Sequence, residues 1–518
     1  MWGDTKGEDM KRRLLFAAAL VALLAGLAAF AGSGSGGARA AYPVPHPTVT
    51  DYQFIKATTP TEADCEAVGR TCFTPQAIRS AYNVAPLYAN GWNGRGITIA
   101  IVDSYGSDTM AHDLHVFNQA FGLQPMCGEE GVTCTPGMPK FSELALTGSP
   151  ATNAQPGNGT HQEDKSAWAL EVALDVETSH AIAPMANILL VHSNNAETLG
   201  VQGFPNMMLA EDYVVKNHLA QVISQSFASA EEAFNTSASL ENLRYAFKDA
   251  AANGVTVLGS SGDGGTANAM KSPVAQGGSL IPFPTVVWPA SDPLVTGVGG
   301  TYLCTDPTAS ETQARTTYIK PGIGAKCGSS TFNAAHAAEV AWTFSGGGFS
   351  HVFSRPSYQA GTLPAGSTPI PAASRGVPDI ALQASAGTGA LVYLSLPPDG
   401  NGSNIGQTGW YDIGGTSLSC PQWAGLVAIA DQINKASHPG ESGLGLINPA
   451  LYKLAANAGT YGSDFFDISH TAKAGVENTN QGDPSVPGYP ATPGWDPVTG
   501  LGTPNAARLI PDLVAAAH

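Results

Sequence analysis

The sequence predicts an α/β fold in which a central, largely parallel sheet is covered by helices on both faces. Two observations predict it. Between residues 73 and 259 short apolar runs alternate with longer stretches of helical spacing, the pattern of strand–helix units. The apolar runs are continuous, as strands covered on both faces must be. Ligands of such sheets sit beyond the carboxyl ends of the strands, so Asp103, Ser226 and Asp263, each just after an apolar run, are expected on one rim.

Residues 1–40 read as an export signal. Lys11, Arg12 and Arg13 precede an apolar run over 14–31, and Ala38-Arg39-Ala40 offers a small-x-small cleavage site. That run approaches the ~20 residues needed to span a bilayer, so an uncleaved membrane anchor is the alternative. Residues 41–72 carry four prolines and little periodicity, and are expected to be an extended leader to a domain over 73–518. The spacing then predicts a helix over 73–84, a buried strand over 97–102, a helix over 113–121 and a strand over 188–191. Further on it predicts a helix over 207–217, a strand over 221–224, a helix over 237–253 and a strand over 256–259. Segments 126–160 and 305–340 read as loop-like insertions.

Charged residues are only 13% of the 518, against about 25% in an average domain. With 60 Gly and 37 Pro the chain is rich in loops. Its 41 acidic residues against 24 Lys and Arg give a net charge of -17, which argues against a nucleic-acid partner. An acidic workplace is compatible with this charge, because protonation relieves self-repulsion. Six of seven cysteines form local couples, Cys65 with Cys72, Cys127 with Cys134 and Cys304 with Cys327. Three local disulfides in an oxidising compartment is the preferred reading, with other connectivities open. Metal binding by these cysteines is disfavoured, since they lack CxxC spacing. Cys420 is left over as a small buried residue.

The chemistry centres on GGTSLSCPQWAG, residues 414–425. Gly414 and Gly415 permit a tight turn, and Pro421 suits the first turn of a helix, which places Ser417 near free backbone N–H groups able to hold an oxyanion. A serine needs a base. One choice is a subtilisin-type triad of Asp103 with His161, in NGTH at 158–161. The better choice is Glu171 with Asp175, four residues apart on one helix face, where like charges share a proton and work as bases in acid. Asp263, in SSGDGG, can donate a hydrogen bond to an oxyanion if kept protonated. The non-catalytic readings are an N-cap serine, an amphipathic helix with solvated acids and a Gly-Asp-Gly turn.

GGTSLSCP, the ExxxD of Glu171 and Asp175 ahead of AIAP, and SSGDGG occur in the order and contexts of the sedolisins, serine-carboxyl peptidases with a subtilisin-like fold. FTPQAIRSAYNV, WPASDPLVTGVGGT, SGGGFSHVFSRPSYQ and RGVPDIALQAS resemble the same family, from about Phe73 to the C-terminus. The resemblance implies Ser417 as nucleophile, Glu171 as general acid/base, Asp175 as its partner and Asp263 in the oxyanion hole. It also implies one structural Ca²⁺ held by the Asp467 and Asp496 side chains and main-chain oxygens of Ile468, Thr492 and Gly494, hard donors that suit calcium. The segment Ser226-Phe227-Ala228 stands where the family often has Ser-Trp-Gly and pairs with the substrate backbone. Residues 41–72 are too short for the family's usual propeptide. The expectation is thus a secreted, monomeric endopeptidase acting on polypeptides in acid, with no membrane partner after signal removal. Its rivals are a subtilisin-type triad, a binding protein on the same fold and a glycosidase using Glu171 and Asp175, whose close spacing leaves little room for a sugar.

Overall fold

The run ITIAIVDS becomes the strand Thr98–Ser104, and its alternate residues build two different cores. Ile99 and Ile101 pack in one apolar cluster with the helices Gln162–Ile182 and Thr416–Ser437. Ala100 and Val102 pack in another with Gly203–Lys216 and Tyr245–Ala252. A strand buried on both faces has no polar face to offer, which is why the run over 97–102 carries no charge ahead of Asp103. The computed structural model describes residues 46–47, 51–147, 162–193, 203–269, 279–318, 327–329, 332–333, 335–395, 407–469 and 479–518. The expected export signal, most of the proline-rich start of the leader and His161 lie outside the described residues.

Among these residues an eight-stranded sheet runs in the order Glu339–Ala341, Thr296–Leu303, Thr256–Ser260, Val222–Gln225, Thr98–Ser104, Asn187–Ser193 and Phe141–Thr147, with Ile380–Gln383 also pairing to Thr296–Leu303. Glu339–Ala341 is antiparallel and every other pairing is parallel. The expected fold class is therefore observed. All three local disulfides are formed, and Cys420 is free and buried.

Four differences have physical reasons. Phe141–Thr147, inside a segment read as loop, is the edge strand beside Asn187–Ser193; covered on fewer sides, it keeps polar residues that hide it in sequence. Thr296–Leu303 is a glycine-rich strand because a Cβ on Gly300 would lie 2.3 Å from the Cβ of Ala384. The helix expected over 237–253 is two, Ser237–Glu241 and Tyr245–Ala252. The leader is not extended throughout. Tyr52–Lys56 pairs antiparallel with Gly409–Ile413, Glu62–Ala67 is a helix capped by Thr61, and Arg70 grips Asp51 through both nitrogens at 2.6 and 3.1 Å. Upstream, His46–Pro47 pairs antiparallel with Phe227–Ala230, His46 opposite Ala228 and Pro47 opposite Phe227.

Several carboxyls are taken into the core. Burial raises Asp103 to about 8, Asp431 to about 8 and Asp113 to about 6. An acid whose proton is held more tightly folded than unfolded stabilises the fold fully below its unfolded pKa, and that contribution is lost as pH rises through the folded value. Melting temperature is therefore expected to be highest near pH 4 and to fall between about pH 5 and pH 8. Scanning fluorimetry across that range checks it, and a melting temperature that climbs with pH would contradict it.

Candidate active site

Ser417 is presented by a turn that only glycine makes cheaply. Gly415 caps the Thr416–Ser437 helix at φ 105°, a left-handed conformation, and its N–H donates to the Ala384 carbonyl at 2.5 Å. The helix starts at Thr416, so Pro421 lies inside it and not in its first turn. The reason is that the glycine cap fixes the start, while the Pro421 carbonyl accepts the Ser179 hydroxyl at 3.1 Å. Ser417 is thus the second helical residue, fully buried, in the first turn where backbone N–H groups lack helical partners.

The helix Gln162–Ile182 packs along this one. They come close at Gly425, where a Cβ would fall 2.7 Å from the Ile182 Cβ and 3.2 Å from the Ser179 carbonyl. From Trp168 to Ile182 every residue is buried, so the acids of this helix do not face solvent. Glu171 and Asp175 are fully buried and adjacent. Asp175 is held well above the usual carboxylate range, first by burial, then by Asp103 and Glu171, against the Ser226 hydroxyl that donates to its Oδ1 at 3.1 Å. Cys420 lies one helical turn beyond Ser417, and its thiol is pushed up by burial and by the charges of Asp175 and Glu171. Both carboxyls therefore lie near the first turns of the helix that carries Ser417. Glu177 is directed elsewhere, accepting the Tyr393 N–H at 3.0 Å.

Asp103, expected on the ligand-binding rim and as the acid of a subtilisin-type triad, is the third carboxyl of this buried group. The signal for it was an aspartate directly after the apolar run 99–102. Its other proposed partner, His161, is outside the described residues. Asp263 follows Thr256–Ser260 and is tied to the nucleophile turn: its Oδ1 accepts the Thr416 N–H at 2.7 Å and the Thr416 hydroxyl at 2.9 Å. Nothing in the sequence reading had singled out Thr416. Asp103 is the penultimate residue of Thr98–Ser104, and Ser226 and Asp263 come just after the neighbouring parallel strands Val222–Gln225 and Thr256–Ser260.

Ser226 precedes the strand Phe227–Ala230, which pairs on one side with Val287–Trp288 and on the other with His46–Pro47. The Phe227 ring points inward, 6.1 Å from Phe204, and Ala228 is buried too. At the expected calcium site Asp467 Oδ2 accepts the Gly494 N–H and Asp496 Oδ2 the Thr492 N–H, both at 3.0 Å. Asp467 also raises the proton affinity of Asp496, which shows the two carboxyls to be neighbours. Asp496 Oδ1 takes the N–H groups of Val498 and Thr499 at 2.8 and 2.9 Å, so it also builds the turn. Ile468 is buried beside Asp467. Among the described residues no group of three or more His, Cys, Asp and Glu side chains forms a metal cluster. The expected set asks for only two such side chains, and a pair of neighbouring carboxyls against a turn fits a hard cation.

No protein-family model matches the chain. The chain is 30% identical over 457 residues to "Kumamolisin" of Bacillus sp. (strain MN-32), covering 88% of this chain and 66% of that protein. It is 30% identical over 381 residues to "Tripeptidyl-peptidase SED4" of Arthroderma otae, covering 68% and 53%. The chain thus spans between about half and two thirds of the length of these curated relatives. In three dimensions it resembles a Pseudomonas sedolisin, a serine-carboxyl proteinase complexed with two molecules of pseudo-iodotyrostatin, with 25% identity and a TM-score of 0.56 over 85% of this chain and 97% of that one. Likeness in sequence along most of the chain, and in the path of its backbone, makes this protein a member of the sedolisin family.

Proposed function

We propose that the chain is a secreted serine-carboxyl endopeptidase that hydrolyses peptide bonds in acid. The observation that carries this reading is the burial of Glu171 and Asp175 on a helix packed against the one that carries Ser417 in its first turn. An ordinary carboxylate is a weak base for a hydroxyl; one removed from water binds a proton more tightly and is a better base.

Glu171 takes the proton of Ser417 as its Oγ attacks the carbonyl carbon of the substrate, and Asp175 orients Glu171 and shares its charge. Protonated Asp263, with backbone N–H groups of the helix start, stabilises the tetrahedral oxyanion. Glu171 then returns the proton to the leaving amine, and water releases the acyl group by the reverse sequence. Ser226, Phe227 and Ala228 supply the backbone edge along which an extended substrate pairs. The three disulfides support passage through an oxidising compartment, and among the described residues no helix is long and apolar enough to cross a membrane.

Peptide hydrolysis as a function of pH, measured for the parent and for Glu171→Gln, Ser417→Ala and His161→Ala, tests the reading. The first two are expected to lose at least about a thousandfold in kcat, as members of a unit that acts together do. The third is expected to keep the parent's acid optimum. Parental rates in Glu171→Gln, or loss of activity with His161→Ala, would hand the role to an imidazole.

A single structural calcium held by Asp467, Asp496 and the main-chain oxygens of Ile468, Thr492 and Gly494 belongs to the same proposal. The neighbouring acids Asp467 and Asp496 support it, since a divalent cation offsets their repulsion. Removing calcium with a chelator is expected to lower the melting temperature by about 5 °C or more, and restoring calcium to reverse it. Asp496→Asn should be indifferent to both treatments.

A further inference from the structure

We infer that Thr416 is the residue that decides which oxygen of Asp263 carries the proton, and so aims the acid side of the oxyanion hole. This rests on the proposed role of Asp263. The observation is a closed set of three hydrogen bonds. Asp263 Oδ1 accepts both the N–H and the hydroxyl of Thr416, at 2.7 and 2.9 Å, and the same hydroxyl accepts the Gly262 N–H at 3.0 Å. The Thr416 hydroxyl thus gives its one proton to Asp263 Oδ1 while one of its two lone pairs takes the Gly262 N–H.

A neutral carboxyl group has one good acceptor, its carbonyl oxygen, and one donor, its hydroxyl. With two donors on Oδ1, that oxygen must be the carbonyl and the proton must sit on Oδ2. Oδ2 is itself shielded from water. Thr416 is fully buried and is the residue immediately before Ser417, so the turn that delivers the nucleophile also sets the donor. Removing the hydroxyl leaves the Gly262 N–H without its acceptor, frees the carboxyl to rotate and lets the proton occupy either oxygen. Thr416 is thus a positioning residue acting through Asp263, not a group that touches the substrate.

The experiment compares Thr416→Val, Thr416→Ser and Asp263→Ala in the full chain, with thermal melts to establish that each is folded. Thr416→Val is expected to lose about tenfold or more in kcat with KM within about twofold, less than the roughly hundredfold that deletion of an oxyanion donor costs. Its alkaline limb, where Asp263 ionises, is expected to move to higher pH, because a donor that favoured the carboxylate has gone. A loss of packing alone would leave that limb in place. Thr416→Ser restores both donors and is expected to recover most of the loss. In an Asp263→Asn background, where nothing titrates at this position, Thr416→Val should no longer move the limb.

If Asp263→Ala keeps the parental kcat, the role of Asp263 fails and the inference falls with it. Where Asp263→Ala is impaired but Thr416→Val keeps both its rate and its alkaline limb, the inference alone is overturned. Failure of Thr416→Ser to recover activity would also overturn it.

Discussion

Glu171, Asp175 and Asp103 are neighbours held away from water, and the cost of that desolvation shapes the surroundings. Three carboxyls this close cannot all be ionised, since each charge would add the burial penalty of one ion to repulsion from the next. The group must hold protons, and the chain around it is arranged accordingly. Ser226 donates to Asp175, Gly425 lets the two helices touch, and every residue from Trp168 to Ile182 is buried.

The same physics links the chemistry to the stability of the molecule. Carboxyls that bind protons tightly are good bases in acid, and carboxyls that bind protons tightly in the folded state also favour folding in acid. Asp431 and Asp113 take no part in the proposed reaction, yet burial shifts them in the same direction as the group beside Ser417. A net charge of -17 adds to this, because self-repulsion among surface acids fades as they protonate.

The strands at Thr98–Ser104, Asn187–Ser193, Val222–Gln225 and Thr256–Ser260 were legible because burial on both faces demands continuous apolar runs. Where that demand lapses, legibility does too. Phe141–Thr147 at the sheet edge keeps Ser142 and Glu143, and Thr296–Leu303 uses glycine where neighbours crowd it. Glu171, Asp175, Asp263 and Ser417 could be picked out because their motifs combine acids or a hydroxyl with small residues. Thr416 could not, since a threonine ahead of a helix reads as an ordinary cap until its two bonds to Asp263 are seen. The start of the Ser417 helix was misplaced for a related reason: proline marks first turns in general, whereas here the backbone at Gly415 had already fixed the start.

The backbone of His46–Pro47 occupies the edge of Phe227–Ala230 opposite Val287–Trp288, beside the helix that carries Glu171. Any other extended chain that pairs with Phe227 and Ala228 on that side has to displace this one first. Because the occupant is tethered, its local concentration is set by the connecting residues and does not fall on dilution. Competition for the edge is therefore independent of how much protein is present.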